Sequence, residues 1–193
     1  MARKPSDRPI RKRRLIVVDG TTEKIYLDII KQKIRGASID VKQVNPSGAE
    51  AISSALRNCR KEAESKHIHY KHCYIVIDKD DLTVEDFNQI LQDERNNADV
   101  TLVFSNEAFE VWLLAHIEVM KPGIISRAKL NSKLTKFLKE DYDKTNRKQI
   151  LRIINEAEPN YIDTLISNTN SINSISYSKQ CTNFGILLDV LKS

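Results

Sequence analysis

Cys73, Tyr74, Ile75, Val76 and Ile77 run without a break into Asp78, Lys79, Asp80 and Asp81, and this stretch constrains the chain more than any other. An apolar, partly β-branched run of this length reads as a strand buried on both faces, which calls for a sheet covered on each side. Three carboxylates within four positions then arrive at one end of that strand. Acids this close repel one another once partly desolvated, and they need a counter-charge, a shared proton or a divalent cation. Asp78 and Asp80 stand at alternate positions, so both can turn toward one hard cation. The plainer alternative is a solvated acidic turn, because Asp is common in turns and at helix N-caps.

Three more runs have the same form. Leu15, Ile16, Val17 and Val18 read as a first strand ending in Asp19 and Gly20, with Thr22 as cap of a helix carrying Tyr26, Ile29, Ile30 and Ile34, closed by Gly36. Ile39, Val41 and Gln43 alternate as a more exposed second strand, broken at residues 45–48, and Ala51, Ile52, Ala55, Leu56 and Cys59 mark the next helix. After the acidic turn, Thr83 and Asp86 resemble a capping box for a helix with Phe87, Ile90 and Leu91 inward. Val100, Thr101, Leu102, Val103 and Phe104 form the fourth strand, followed by Ser105 and Asn106 as cap of a helix with Phe109, Trp112, Leu113 and His116 at helical spacing. Four strand-helix units in succession predict an α/β fold with a doubly wound, mainly parallel sheet.

The last third reads differently. Leu130, Leu134, Phe137 and Leu138 set one amphipathic helix, and Ile150, Leu151 and Ile154 another, a helical insertion or subdomain after the fourth unit. Residues 167–178, rich in Ser and Asn, read as a loop, and Phe184, Leu187, Leu188 and Leu191 as a closing helix. The division is a basic flexible tail at 1–13, an α/β core at 14–120, a basic helical segment at 121–158, and a loop and helix at 159–193 that pack back on the core.

Charge is segregated along the chain. Of the net +5, residues 1–14 supply seven basic side chains against one acidic, net +6, and residues 121–152 supply ten against three, net +7. The other segments hold 14 basic and 22 acidic, net −8. An acidic body with basic extensions suits a nucleic-acid binder with a metal-filled acidic pocket, and equally a solvated tail and helix faces. The stripe Lys129, Lys133 and Lys136 lies beside the apolar stripe of its helix and is the expected nucleic-acid contact. The opening residues lack the form of a signal peptide and no apolar run has membrane length, so the expected location is the cytoplasm, with no membrane partner. Cys59, Cys73 and Cys181 stand apart without a CxxC pair, which argues against disulfides and a cysteine zinc site.

In a doubly wound sheet, strands 1 and 3 flank the crevice where ligands bind. Asp19 and Asp78 therefore converge from distant parts of the chain. Glu23, in the first turn after Asp19, is a candidate supporting acid or a favourable charge at a helix N-terminus. Glu110 opens toward the same edge from the fourth unit, or is a solvated glutamate. His116, beside Trp112 on an apolar face, reads as a core histidine. Neither a phosphatase DxDxT loop nor an EF-hand fits the spacing after Asp78.

Three blocks together resemble the RloB-like family: residues 17–27 (VVDGTTEKIYL), 77–81 (IDKDD) and 105–116 (SNEAFEVWLLAH), with a weaker likeness at Cys181, Thr182 and Asn183. The resemblance spans nearly the whole chain. It implies a Toprim-like fold, as in topoisomerase-primase domains, and a setting in restriction or abortive-infection defence loci, with other proteins of such a system as partners. It also implies a metal-dependent nuclease acting on RNA or DNA, with Mg²⁺ or Mn²⁺ on Asp78 and Asp80 and with Asp19 as the acid or base. Asp81 and Glu110 match acidic positions of the blocks. Asp19 stands where Toprim enzymes carry glutamate, one methylene shorter. A non-catalytic subunit that keeps the fold and binds nucleic acid or a partner is the alternative.

Overall fold

The computed structural model describes residues 12–34, 38–44, 49–79 and 82–192. Strands β1 (Lys12–Val18), β2 (Ile39–Gln43), β3 (His69–Asp78), β4 (Val100–Asn106) and β5 (Cys181–Thr182) form a sheet in the order β2-β1-β3-β4-β5. The first four are parallel to their neighbours, and β5 runs antiparallel to β4. This is the expected α/β, doubly wound, mainly parallel architecture, consistent with a Toprim-like fold. The chain winds outward from β1 to β2, returns to β3 on the other side of β1, and so places its switch point between β1 and β3.

Alternation along the strands divides the core in two. Leu15, Val17, Cys73, Ile75, Ile77, Leu102 and Phe104 face helices α2 (Ala49–Ser65) and α3 (Val84–Asn96) through Leu56, Phe87 and Ile90. Ile16, Val18, Tyr74, Val76 and Val103 face the opposite layer, which holds α1 (Thr21–Lys33) and α4 (Glu110–Leu114). Helices α5 (Arg127–Leu138), α6 (Arg147–Glu156), α7 (Tyr161–Thr169) and α8 (Gly185–Lys192) lie on that same side. The basic helical segment has no core of its own, since Leu130, Leu134, Leu138, Ile150, Ile153 and Ile154 join the cluster of Tyr26 and Trp112. That packing brings α5 and α6 close to the sheet edge where β1 and β3 end.

Local signals hold where chemistry fixes them. Thr83 caps α3, accepting from the Asp86 amide and donating to the Asp86 carboxylate at 2.8 Å. Others are corrected. Ser105 and Asn106 are the last residues of β4, not a cap, because Cys181 and Thr182 return as β5 to pair with them, and α4 starts only at Glu110. Asn183 completes this edge, accepting from the Phe104 amide at 2.7 Å and donating to the Leu102 carbonyl at 2.8 Å. Thr22 lies inside α1, whose N-cap is Gly20, and donates instead to the Lys144 carbonyl at 3.3 Å. The expected loop at 167–178 begins with the end of α7 and a short 3-10 turn. Leu151 is 38% exposed, and Ile153 takes the inward position. β1 begins at Lys12, within the segment assigned to the tail. Gly36, residues 45–48 and residues 1–11 lie outside the described residues.

His116 sits in the core as expected, with Nε2 3.1 Å from the Tyr26 hydroxyl. Burial lowers its pKa from 6.5 to about 3. The unfolded chain therefore binds a proton that the folded chain refuses below about pH 6.5, and stability falls as pH drops from there toward the folded value. Urea midpoints measured across that interval should decline with acid, and His116→Gln should flatten the decline even if it lowers stability at neutral pH.

Candidate functional site

Val18 pairs with Val76 across the parallel β1-β3 ladder, so Asp19 and Asp78, one and two residues further on, leave the sheet at the same carboxyl edge. Both line a cleft of about 390 Å³. Glu23 reaches it from α1 and Glu110 from α4, so the described chain places four of the expected acids around one cavity. Asp80 and Asp81 lie outside the described residues. Lys79, between the acids in sequence, is turned elsewhere: it pairs with Glu107 at 3.3 Å and lies 5.1 Å from the centre of the Tyr177 ring.

Glu23 is the deeper of the two helix-borne acids. It is only 3% exposed, and its pKa is raised well above the usual carboxylate range, first by burial and then by the charges of Asp78, Asp19 and Glu110. Room for it comes from Gly20. A Cβ at that position would stand 1.9 Å from Glu23 Oε2, although φ −93° and ψ 149° are open to any residue. Glycine is needed here for space, not for its backbone freedom. The carboxylate folds back over the first turn of α1, the place a capping glutamate takes.

Glu110, 6% exposed, accepts from the Tyr142 hydroxyl at 3.0 Å. Burial, the Glu110 charge and this bond all push the Tyr142 phenol upward, so it remains a donor. Asp78 accepts weakly from the Phe109 amide at 3.4 Å and lies 3.5 Å from Arg127 Nη2. Arg127 and Asn131 of α5, with Lys144 from the segment between α5 and α6, form the other wall of the cleft. Sequence reasoning missed Tyr142 and these three. No local motif marks them, because they reach the cleft only through the packing of α5 and α6 on the core. The stripe Lys129, Lys133 and Lys136 is not part of the wall: Lys129 and Lys136 are exposed, and Lys133 pairs with Glu118.

Among the described residues, no group of three or more His, Cys, Asp or Glu side chains is arranged to hold a metal ion. The chemistry of the donors nevertheless suits a hard cation. All four are carboxylates, and after burial the charges of Asp78, Asp19 and Glu110 add to the raised pKa of Glu23.

A family model of RloB-like proteins matches residues 14–191. The chain belongs to the RloB-like family. No curated protein and no solved structure gives a match. The family match covers every element that lines the cleft, from Asp19 to Lys144.

For an acid whose folded pKa is raised, the folded state holds the extra proton, and stability falls as pH rises above the ordinary value of 4.5. Glu23→Gln should remove that fall and raise the melting temperature at neutral and mildly alkaline pH. Gly20→Ala should act the same way on the slope, because its methyl group displaces the carboxylate from its pocket. Thermal melts of both variants against pH check this, and an unchanged slope in either would show that Glu23 is not buried among these charges.

Proposed function

We propose that this RloB-like protein is a metal-dependent nuclease that hydrolyses phosphodiester bonds of RNA or DNA, with the cleft between β1 and β3 as its active site. The observation supporting this reading is the convergence of Asp19, Glu23, Asp78 and Glu110 at one sheet edge, facing Arg127 and Lys144. An acidic floor alone would repel a phosphate. A cationic wall opposite it makes the cavity a place where a phosphodiester can sit beside acids that hold a metal or carry protons.

Asp78 and Asp80 would hold Mg²⁺ or Mn²⁺, joined by Asp19 or Asp81. Such an ion polarises a phosphoryl oxygen and makes water a nucleophile near neutral pH. The chain's own groups do the rest. Asp19, at the mouth of the β1 end, is the base or acid for the attacking water, and its shorter side chain gives it less reach than glutamate. Glu23, whose proton is retained above the usual carboxylate range, supports it as a proton store one helical turn away. Tyr142 fixes Glu110 by its hydrogen bond. Arg127 and Lys144 orient the phosphate and offset its charge. The setting in phage defence and the protein partners follow from the family resemblance alone, and belong to the same proposal.

The test uses purified protein with labelled RNA and DNA in Mg²⁺, Mn²⁺ or EDTA. Cleavage should require the ion and vanish in Asp78→Ala, while Glu23→Gln should slow turnover by about 100-fold or more with little change in binding. Cleavage that ignores both EDTA and Asp78→Ala would reject the assigned site. Binding without any cleavage would leave the protein as a nucleic-acid-binding subunit with this fold.

Nucleic acid beyond the cleft is expected to run over the exposed face of α5. Each lysine withdrawn from a backbone phosphate should lower the salt slope of binding by about 0.7 to 0.9. Lys129→Gln with Lys136→Gln should therefore lower the slope, and adding Lys133→Gln should lower it less, because Lys133 already pairs with Glu118. Deletion of residues 1–11 is the competing measurement. If it abolishes binding while the lysine variants change nothing, the tail is the anchor.

A further inference from the structure

We propose that Arg127 is an exchangeable counter-charge, shared between Asp78 and a substrate phosphate, so that a divalent ion on the acids and nucleic acid in the cleft bind cooperatively. The inference rests on the nuclease reading of the cleft and adds how its two ligands depend on each other. Arg127 Nη2 lies 3.5 Å from Asp78 Oδ2, and both residues line the cleft together with Lys144. Arg127 is also the first residue of α5, and aligned peptide dipoles disfavour a positive side chain at that end of a helix. The helix gains nothing from the charge in this place, whereas the acids do.

The pair is built unequally. Asp78 closes β3 within the sheet, and its side chain is 15% exposed. The Arg127 side chain is 35% exposed and has a long stem, while its backbone is held by the Ser126 cap and by Leu130 and Leu134 in the core. Exchange therefore needs only rotation of the arginine head. At 3.5 Å this contact is also longer than the roughly 2.7 to 2.9 Å of a charge-assisted hydrogen bond, and ion pairs open to water are weakly held. One guanidinium cannot serve two anions fully. While Arg127 faces Asp78, it lowers the pull of the acids on a cation and is withheld from a phosphate. Once Asp78 ligates a divalent ion, the carboxylate has its counter-charge and Arg127 is released to the phosphate, whose oxygens suit its planar fork. Linkage requires the reverse as well: a phosphate that draws Arg127 from Asp78 raises the affinity of the acids for the ion by the same factor.

The test measures Ca²⁺ binding by calorimetry, with and without single-stranded RNA or DNA, and binding of the labelled strands by fluorescence anisotropy, with and without Ca²⁺. In the wild-type protein each ligand should tighten the other by one shared factor. Arg127→Gln should bind Ca²⁺ about threefold to tenfold more tightly when nucleic acid is left out, bind the strands in Ca²⁺ about tenfold more weakly, and shrink the shared factor. Lys144→Gln should weaken binding of the strands and leave the Ca²⁺ affinity near that of the wild type, which separates exchange at Asp78 from a general loss of positive charge. Ca²⁺ binding no tighter in Arg127→Gln than in the wild type, or equally tightened in Lys144→Gln, overturns the inference, as does an unchanged factor. If Arg127→Gln fails to fold, Arg127→Lys decides: it keeps the charge and loses the fork, so the same three changes should appear in smaller degree. Loss of the exchange with ion-dependent cleavage intact would keep the nuclease. Tightening and coupling in a protein that cleaves nothing would remove the nuclease reading and keep the exchange, and Ca²⁺ binding that survives Asp78→Ala would remove both.

Discussion

Asp19, Glu23, Asp78 and Glu110 line one cleft, and their mutual repulsion is the constraint that the groups around it must offset. Parallel strands deliver acids to a common edge, and the first turn of α1 adds a third beneath them. Burial of Glu23 strengthens every interaction it makes, because charges inside a protein are screened far less than charges in water. The fold answers with a raised pKa at Glu23, a phenol on Glu110 and a guanidinium beside Asp78. Each answer is partial and reversible.

The neutralising groups come from the far end of the chain. Arg127, Tyr142 and Lys144 belong to helices and a connection that follow the four strand-helix units, and they are held by apolar contacts of Leu130, Leu134 and Ile150 with the core. Gln149 ties the connection down, accepting from the Asp143 amide at 2.8 Å and donating to the Asp141 carbonyl at 2.9 Å. Thr22 holds it from the other side through the Lys144 carbonyl. The wall of the cleft is therefore as well fixed as its floor, although the two lie far apart in sequence.

Apolar runs ending in acids were legible in the sequence, because burial of a parallel strand on both faces leaves no freedom in composition. They place Asp19 and Asp78 at a common edge. The capping box at Thr83 was equally plain, since it is satisfied within four residues. What escaped depends on contacts across the chain. Ser105 and Asn106 look like a cap until Cys181 and Thr182 pair with them. Arg127 and Asn131 look like ordinary helix residues until α5 docks. Gly20 reads equally as a tight turn or as room for a phosphate near the backbone, whereas its lack of a side chain serves the carboxylate three residues later.

The last strand has a consequence for life at high concentration. β4 is covered by only two residues of β5, which would ordinarily leave a row of amides and carbonyls along its outer side. Asn183 occupies the next station with a side chain that offers both a donor and an acceptor, and so imitates one more peptide unit without extending the strand. Backbone groups satisfied this way are no longer open to pairing with a neighbouring strand. The carboxyl end of the sheet thus stays open while the peptide groups of β4 nearest to it already have their partners.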